Sequence, residues 1–345
     1  LRSRLSSVLG VMFGLTTATF LLTAGAIMAL SPWLPALADA NQSNLIAASL
    51  LLGVIMVARS PSAAIAMIDE LKAEGRFTQM ILGVTVLMDV VVITLFAAAL
   101  AVAKSLVGGD ALSWGFLGGV GSELLLSGII GLLAARCLAW VFRRSLPQWV
   151  SALTLLSLTS GVFYIAEQLH HAALSIGPLH LSYEPLLACL VAGVCLRNMS
   201  TEAGDHTAPL EAHIDHLAPW IYLCFFTITG ASLELELLLL VWPLAILFFF
   251  IRLLGLGIGA TIGGIIAKEP SAQHRYRWMG FVTQAGVGLG LAKRVAVEFP
   301  SWGVSLSTLI IAVIVMNELL GPLFFKRAII SSGEARGETK STEHP

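Results

Sequence analysis

Asp89 stands alone in the apolar stretch 77–103 (FTQMILGVTVLMDVVVITLFAAALAVA). A carboxylate at the centre of a membrane-length helix costs about 2.5–3.5 kcal/mol on insertion scales. Acids kept in such places serve chiefly as proton relays or ion ligands; the plainer alternative is a permanently protonated acid bonded to a neighbouring helix. Arg252 raises the same question in the apolar run 239–267 (LLVWPLAILFFFIRLLGLGIGATIGGIIA). A guanidinium does not give up its proton, so a structural or tuning role suits it better than direct ligand binding. Its charge would face the ends of broken helices or an acid such as Glu123 or Glu184, both set in apolar sequence.

Two apolar elements carry interruptions. In LIAASLLLGVIMVARSPSAAIAMIDELKAEG, Ser60-Pro61 lies near the middle. Proline removes a backbone donor and clashes with the preceding turn, so a break is expected there. Arg59, beside it, either stabilises helix-end carbonyls or leaves the membrane interior by snorkelling. In APWIYLCFFTITGASLELELLL, Thr229-Gly230 marks a second candidate break. Each interrupted element is followed by a helix with one mid-span charge, Asp89 and then Arg252. Paired broken helices of opposite sense are the sequence pointer to an inverted-repeat transporter with a midplane site.

The elements that must hold these residues follow from composition. The 345 residues are 57% hydrophobic and 12% charged, against about 25% charged in an average soluble domain. The chain is therefore an all-α polytopic membrane protein, since the alternating pattern of a barrel is absent. Apolar runs give about ten membrane elements at this length scale: 6–30, 44–73, 77–104, 113–142, 149–169, 182–196, 218–236, 239–267, 276–297 and 303–326. Residues 1–328 form the transport domain, and 329–345 read as a disordered tail. A net charge of -1 excludes a nucleic-acid partner. The four cysteines lack zinc-site spacing and read as packing residues, so no cofactor is expected and no metal beyond a transported cation.

Basic residues set the orientation. Arg2, Arg4, Lys72, Arg76, Arg143, Arg144, Arg197, Lys268, Arg275, Arg277, Lys326 and Arg327 all fall on loops of one side, whereas loops 31–43, 105–112, 170–181 and 298–302 have no Lys or Arg. By the positive-inside rule both chain ends are cytoplasmic. Lys104, Lys293 and Arg294 are the exceptions, and snorkelling accommodates them.

These residues carry a resemblance. Arg59-Ser-Pro-Ser-Ala-Ala64, Gly83-Val-Thr-Val-Leu-Met-Asp89, Glu184-Pro-Leu-Leu187, Phe225-Phe-Thr-Ile-Thr-Gly-Ala-Ser-Leu233, Arg252, Gln284-Ala-Gly-Val287 and Asn317-Glu-Leu-Leu-Gly-Pro322 occur in order along nearly the whole chain. Together they resemble the monovalent cation:proton antiporter superfamily, closest to the branch with Kef-type potassium efflux systems and many bacterial sodium/hydrogen exchangers. The resemblance implies an inverted-repeat sodium/proton antiporter fold with two discontinuous helices, a dimerisation domain and a mobile ion-binding core. It also implies a homodimer in the bacterial inner membrane, and about three further helices ahead of Leu1. Asp89 matches the family's ion-binding acid and Arg252 its basic residue. Met88 stands where an Asp or Asn often precedes that acid, and Val84 where the electroneutral branch has Glu. The two-carboxylate arrangement is thus absent, and exchange of one cation for one proton is expected.

In this chemistry Asp89 holds either a proton or an alkali cation (Na+ or K+). Carbonyls freed at Ser60-Pro61 and Thr229-Gly230, with the hydroxyls of Ser60, Ser62, Thr85 and Thr229, complete the ligand oxygens. The competing readings are a gated Kef-type potassium efflux system and a membrane-embedded lipid enzyme. The enzyme reading lacks a polar cluster at an interface. The glycine runs 255–259 and 286–290 follow no strand, so they fail as phosphate loops; Gly255, Gly259 and Gly263 fit small-residue helix packing instead. The run Asp205 to His216 reads as an amphipathic linker rather than a metal site.

Overall fold

The computed structural model describes residues 5–34, 37–38, 40–108, 114–142, 148–172, 175–176, 179–180, 183–203, 220, 223–224, 227, 235–284 and 286–335. The chain divides into two compact units, one of residues 1–108 and 234–345, the other of 109–233. Among the described residues, six helical stretches are long and apolar enough to cross a membrane, and two apolar helices are shorter. Thr229, Gly230 and the run Asp205 to His216 lie outside the described residues, as does most of the expected element 218–236.

The first unit holds α1 (Leu5–Leu30), α2 (Gln42–Val57), α3 (Pro61–Leu71), α4 (Arg76–Gly108), α8 (Leu235–Ile266), α9 (Gly286–Glu298) and α10 (Gly303–Ser332). α1 lies against α8 along a glycine seam. A Cβ on Gly259 would meet Gly14 O at 2.6 Å, and one on Gly263 would meet Gly10 O at 2.6 Å. Small residues let the two backbones touch, which is how helices associate where solvent supplies no hydrophobic drive. Gly259→Val is expected to lower the melting temperature in detergent, because the obstacle is backbone and cannot rotate away; overpacking of this kind costs about 1–3 kcal/mol. An unchanged melting temperature would show that the seam contributes nothing.

α2 stops at Ala58 and α3 starts at Pro61, so 58–60 are non-helical. Proline at the first position of α3 needs no intrahelical donor, and Ser60 caps the helix, its hydroxyl accepting from Ala63 N at 3.2 Å.

The expected continuous element 276–297 is corrected by the structure. A four-residue helix (His274–Arg277) tightens into a 3-10 turn (Trp278–Phe281), then Val282, Thr283 and Gln284 are non-helical before α9 begins at Gly286. Gly280, Gly286, Gly288 and Gly290 crowd this stretch, and glycine weakens helical continuity by roughly 1 kcal/mol per residue relative to alanine. The unit therefore has its second interruption here. It follows the helix of Arg252 directly.

α10 runs to Ser332, past residue 328, where a disordered tail was expected to begin; it ends at Gly333 in the left-handed conformation (φ 74°). Lys104 and Arg294, expected to snorkel, share one acid: Lys104 Nζ lies 3.0 Å and Arg294 Nη2 2.7 Å from the Glu298 carboxylate.

The second unit contains α5 (Trp114–Phe142), α6 (Gln148–Ala172) and α7 (Pro185–Ala203). α5 and α7 pack through Ala135, Leu138, Ala192 and Leu196, with Gly131 against Val191 and the Ala188 carbonyl. A two-residue antiparallel ladder pairs Ser175 with His180 and Ile176 with Leu179.

Candidate ion-binding site

Breaking a helix exposes carbonyls that have lost their intrahelical donors, and burial makes each of them costly to leave unpaired. At the end of α2 donors for those acceptors come from side chains of two other segments. Arg252, fully buried on α8, donates from Nε to Met56 O (3.0 Å), from Nη2 to Ala58 O (3.1 Å), and from Nη1 to Val282 O (2.9 Å) and Asn317 Oδ1 (2.8 Å). Gln284 Nε2 donates to Ile55 O at 2.8 Å. Asn317, on α10, closes the circuit by donating from Nδ2 to Gln284 Oε1 (3.2 Å) and to Val313 O (2.8 Å). The two interruptions meet directly where Ser60 N donates to Thr283 O at 3.3 Å. Gly321 of α10 leaves room for this crossing, since a Cβ there would lie 2.9 Å from Thr283 Cα.

The guanidinium thus takes the place of missing backbone donors at the negative end of α2. Its four hydrogen bonds stay within the first unit and go to backbone carbonyls and an amide oxygen, not to a carboxylate. Glu123 and Glu184, the acids considered as its partners, belong to the second unit. There Glu184 N donates to Ser127 Oγ at 2.8 Å, and Ser127 Oγ donates to Glu123 O at 2.7 Å.

Asp89 sits on α4, which packs against α1, α2 and α3. Its Oδ1 is buried and has no hydrogen-bond partner among the described residues. Thr85, one turn earlier on the same face and buried, donates its hydroxyl to Ile81 O at 2.8 Å, which leaves the oxygen's lone pairs for a ligand. Met88 faces α1, its sulfur accepting from Thr16 Oγ1 at 3.4 Å. Ser60 and Ser62 lie at the start of α3 with hydroxyls 3.2 Å apart. These elements carry one carboxylate, on α4, and the neutral hydroxyls of Thr85, Ser60 and Ser62.

Arg59 is placed in the non-helical turn, 1% exposed, and none of its three guanidinium nitrogens is hydrogen-bonded among the described residues. Neither expected arrangement, helix-end capping or snorkelling, describes it. A buried charge carries a desolvation penalty of several kcal/mol that an apolar side chain of similar volume does not. Arg59→Met is therefore expected to raise the melting temperature of the purified protein; a lowered value would mean that the charge is compensated in the membrane.

Thr283, Gln284 and Asn317 were not singled out from the sequence as site residues. Their signal is polarity inside apolar runs, beside glycines that permit close approach. Glu318, next to Asn317 on α10 and half-buried, is a further acid within a membrane-length helix.

A family model described as sodium/hydrogen exchanger, transmembrane, matches residues 1–328. Among solved structures, the sodium proton antiporter MjNhaP1 from Methanocaldococcus jannaschii at pH 8 aligns with a TM-score of 0.65 and 17% identity, covering 95% of this chain and 80% of that one. At that identity the likeness shows the fold. No curated protein sequence matches.

Proposed function

The chain belongs to the sodium/hydrogen exchanger family, and from that premise we propose that Asp89 is the group on which a proton and a monovalent cation compete. Family and fold are those of a cation/proton antiporter, a transporter and not an enzyme. The observation that carries the reading is the buried Oδ1 of Asp89, unpartnered among the described residues, on a membrane-length helix packed against both halves of a broken one. A naked carboxylate oxygen in such surroundings is stabilised by a proton or by a cation.

Thr85, Ser60 and Ser62 supply further oxygens to the cation. The partner contributed by the second break is the stretch around Thr283, with Thr229 as an additional candidate. Arg252, tuned by Asn317 and Gln284, holds the crossing so that the ligand oxygens keep their spacing. Arg59 adds fixed positive charge beside it. Movement of the neutralised site, as Asp89-H or as Asp89 with a cation, gives alternating access, and one cation exchanges for one proton.

The transported ion is Na+ or K+; the cell is bacterial, the protein a homodimer of the inner membrane with a cytoplasmic C-terminus, and its task pH homeostasis. Inverted vesicles loaded with a pH-sensitive fluorophore test the reading, with Na+, K+ and Li+ added separately. Dequenching by at least one cation is the expected result. No response to any of them would remove the proposal, and a response to K+ alone that fails to saturate with concentration, as through an open pore, would favour a gated efflux system.

A further inference from the structure

α4, the helix of Asp89, starts at Arg76, so its N-cap position is Gly75, which has no side chain to accept from the first-turn amides. The acceptor comes from the far end of the chain. Glu334 Oε1 accepts from Phe77 N at 2.8 Å, and Oε2 accepts from Thr78 N at 2.8 Å and from Thr78 Oγ1 at 2.7 Å. Glu334 O also accepts from Glu74 N at 3.1 Å. The absence of a side chain at position 75 is what admits the carboxyl, since a Cβ on Gly75 would overlap it. The left-handed Gly333 turns the chain out of α10 and delivers Glu334 to this position.

A carboxylate on the amides of a first helical turn satisfies orphan donors and complements the helix dipole. Such caps ordinarily come from the residue next door. Here the cap is supplied from two residues past the end of α10, the same helix whose Asn317 braces the crossing through Arg252 and Gln284. One end of the Asp89 helix is thereby fixed to the element that supports the broken segments.

We infer that Glu334 is a positioning residue for exchange: it ties the first turn of α4 to the end of α10 and so sets the axial register of Asp89 against the helix crossing. The inference rests on Asp89 being the exchange site. A slip of α4 by a single residue would move the carboxylate about 1.5 Å along the helix axis, which is enough to spoil cation–oxygen distances.

Glu334→Ala, Glu334→Gln and the double variant Glu334→Ala with Gly75→Asp separate this role from simple capping. Aspartate is a favoured N-cap, and with Glu334 truncated the atoms that crowd position 75 are gone. The double variant therefore restores a cap without the side-chain tether, the backbone bond to Glu74 N being common to all the variants. Full-length proteins are reconstituted in liposomes, and cation-driven proton flux is measured per folded molecule. In Glu334→Ala the cation KM is expected to rise about fivefold or more, as for a misplaced ligand. Glu334→Gln, which keeps an acceptor oxygen, falls between. In the double variant thermal stability returns while KM stays high. A wild-type KM in Glu334→Ala, or recovery of KM along with stability in the double variant, would overturn the inference. Backbone hydrogen exchange over 76–92 reads the tether without transport: the double variant is expected to lose protection through the turn of Asp89, and wild-type protection there would refute it. A wild-type protein that moves no cation would sink the exchange-site reading alone, with hydrogen exchange still deciding the tether.

Discussion

Asp89→Asn is expected to abolish cation/proton exchange while the protein still inserts, folds and purifies. The amide is isosteric with the acid, and a neutral side chain is easier to place in the bilayer than a charged one. It can neither release a proton nor balance a cation. Two unit charges 4 Å apart interact by about 4 kcal/mol at an effective dielectric of 20, which corresponds to roughly a thousandfold in affinity. Exchange should therefore fall below detection at millimolar cation, whereas Asp89→Glu keeps the carboxylate and retains part of the activity. In the wild type, strict competition predicts that the apparent cation affinity weakens as pH falls through the titration of the site, because protons occupy it. Full exchange in Asp89→Asn vesicles would refute the assignment.

Arg252→Met is expected to cost the folded state more than any other single substitution in the site. It strands Met56 O, Ala58 O and Val282 O in a dry interior and releases Asn317. Each buried acceptor left unsatisfied typically costs about 1–3 kcal/mol. Arg252→Lys should fare little better, since an ammonium has three donors at a single point and cannot span acceptors that surround a planar fork. Detergent size-exclusion and thermal unfolding measure this directly. A monodisperse Arg252→Met protein with an unchanged melting temperature would show that the crossing holds itself together.

What could be read from the residues follows from how local each cause is. Ser60-Pro61 breaks its helix through proline sterics, which act within one turn, and the helix does end at Ala58. Asp89 and Arg252 stand out because an apolar run makes a single charge visible. The second interruption has no proline. Thr229-Gly230 offers the plainer small-residue pattern, so the glycines of 286–290 read as a failed phosphate loop, and Gln284-Ala-Gly-Val287 as a motif of the resemblance, rather than as a helix break. The partners of Arg252 were beyond reach for a different reason: backbone carbonyls have no signature in sequence, and an acid looked the natural mate for a guanidinium. Glu334 over α4 is more remote still, because nothing near Gly75 indicates that its missing cap comes from a residue more than 250 positions away. The glycine seam between α1 and α8 lies between these extremes, with spacing that suggests a packed face but no hint of which helix fills it.

The most direct test of the account is proton release on cation binding. Purified protein in weakly buffered detergent solution near neutral pH is titrated with NaCl or KCl, with choline chloride as the control, while the free proton concentration is followed. A proton displaced by each bound cation, lost in Asp89→Asn, is the predicted result. Cation binding that releases no proton, or release that persists undiminished in Asp89→Asn and vanishes in Glu318→Gln, would contradict it.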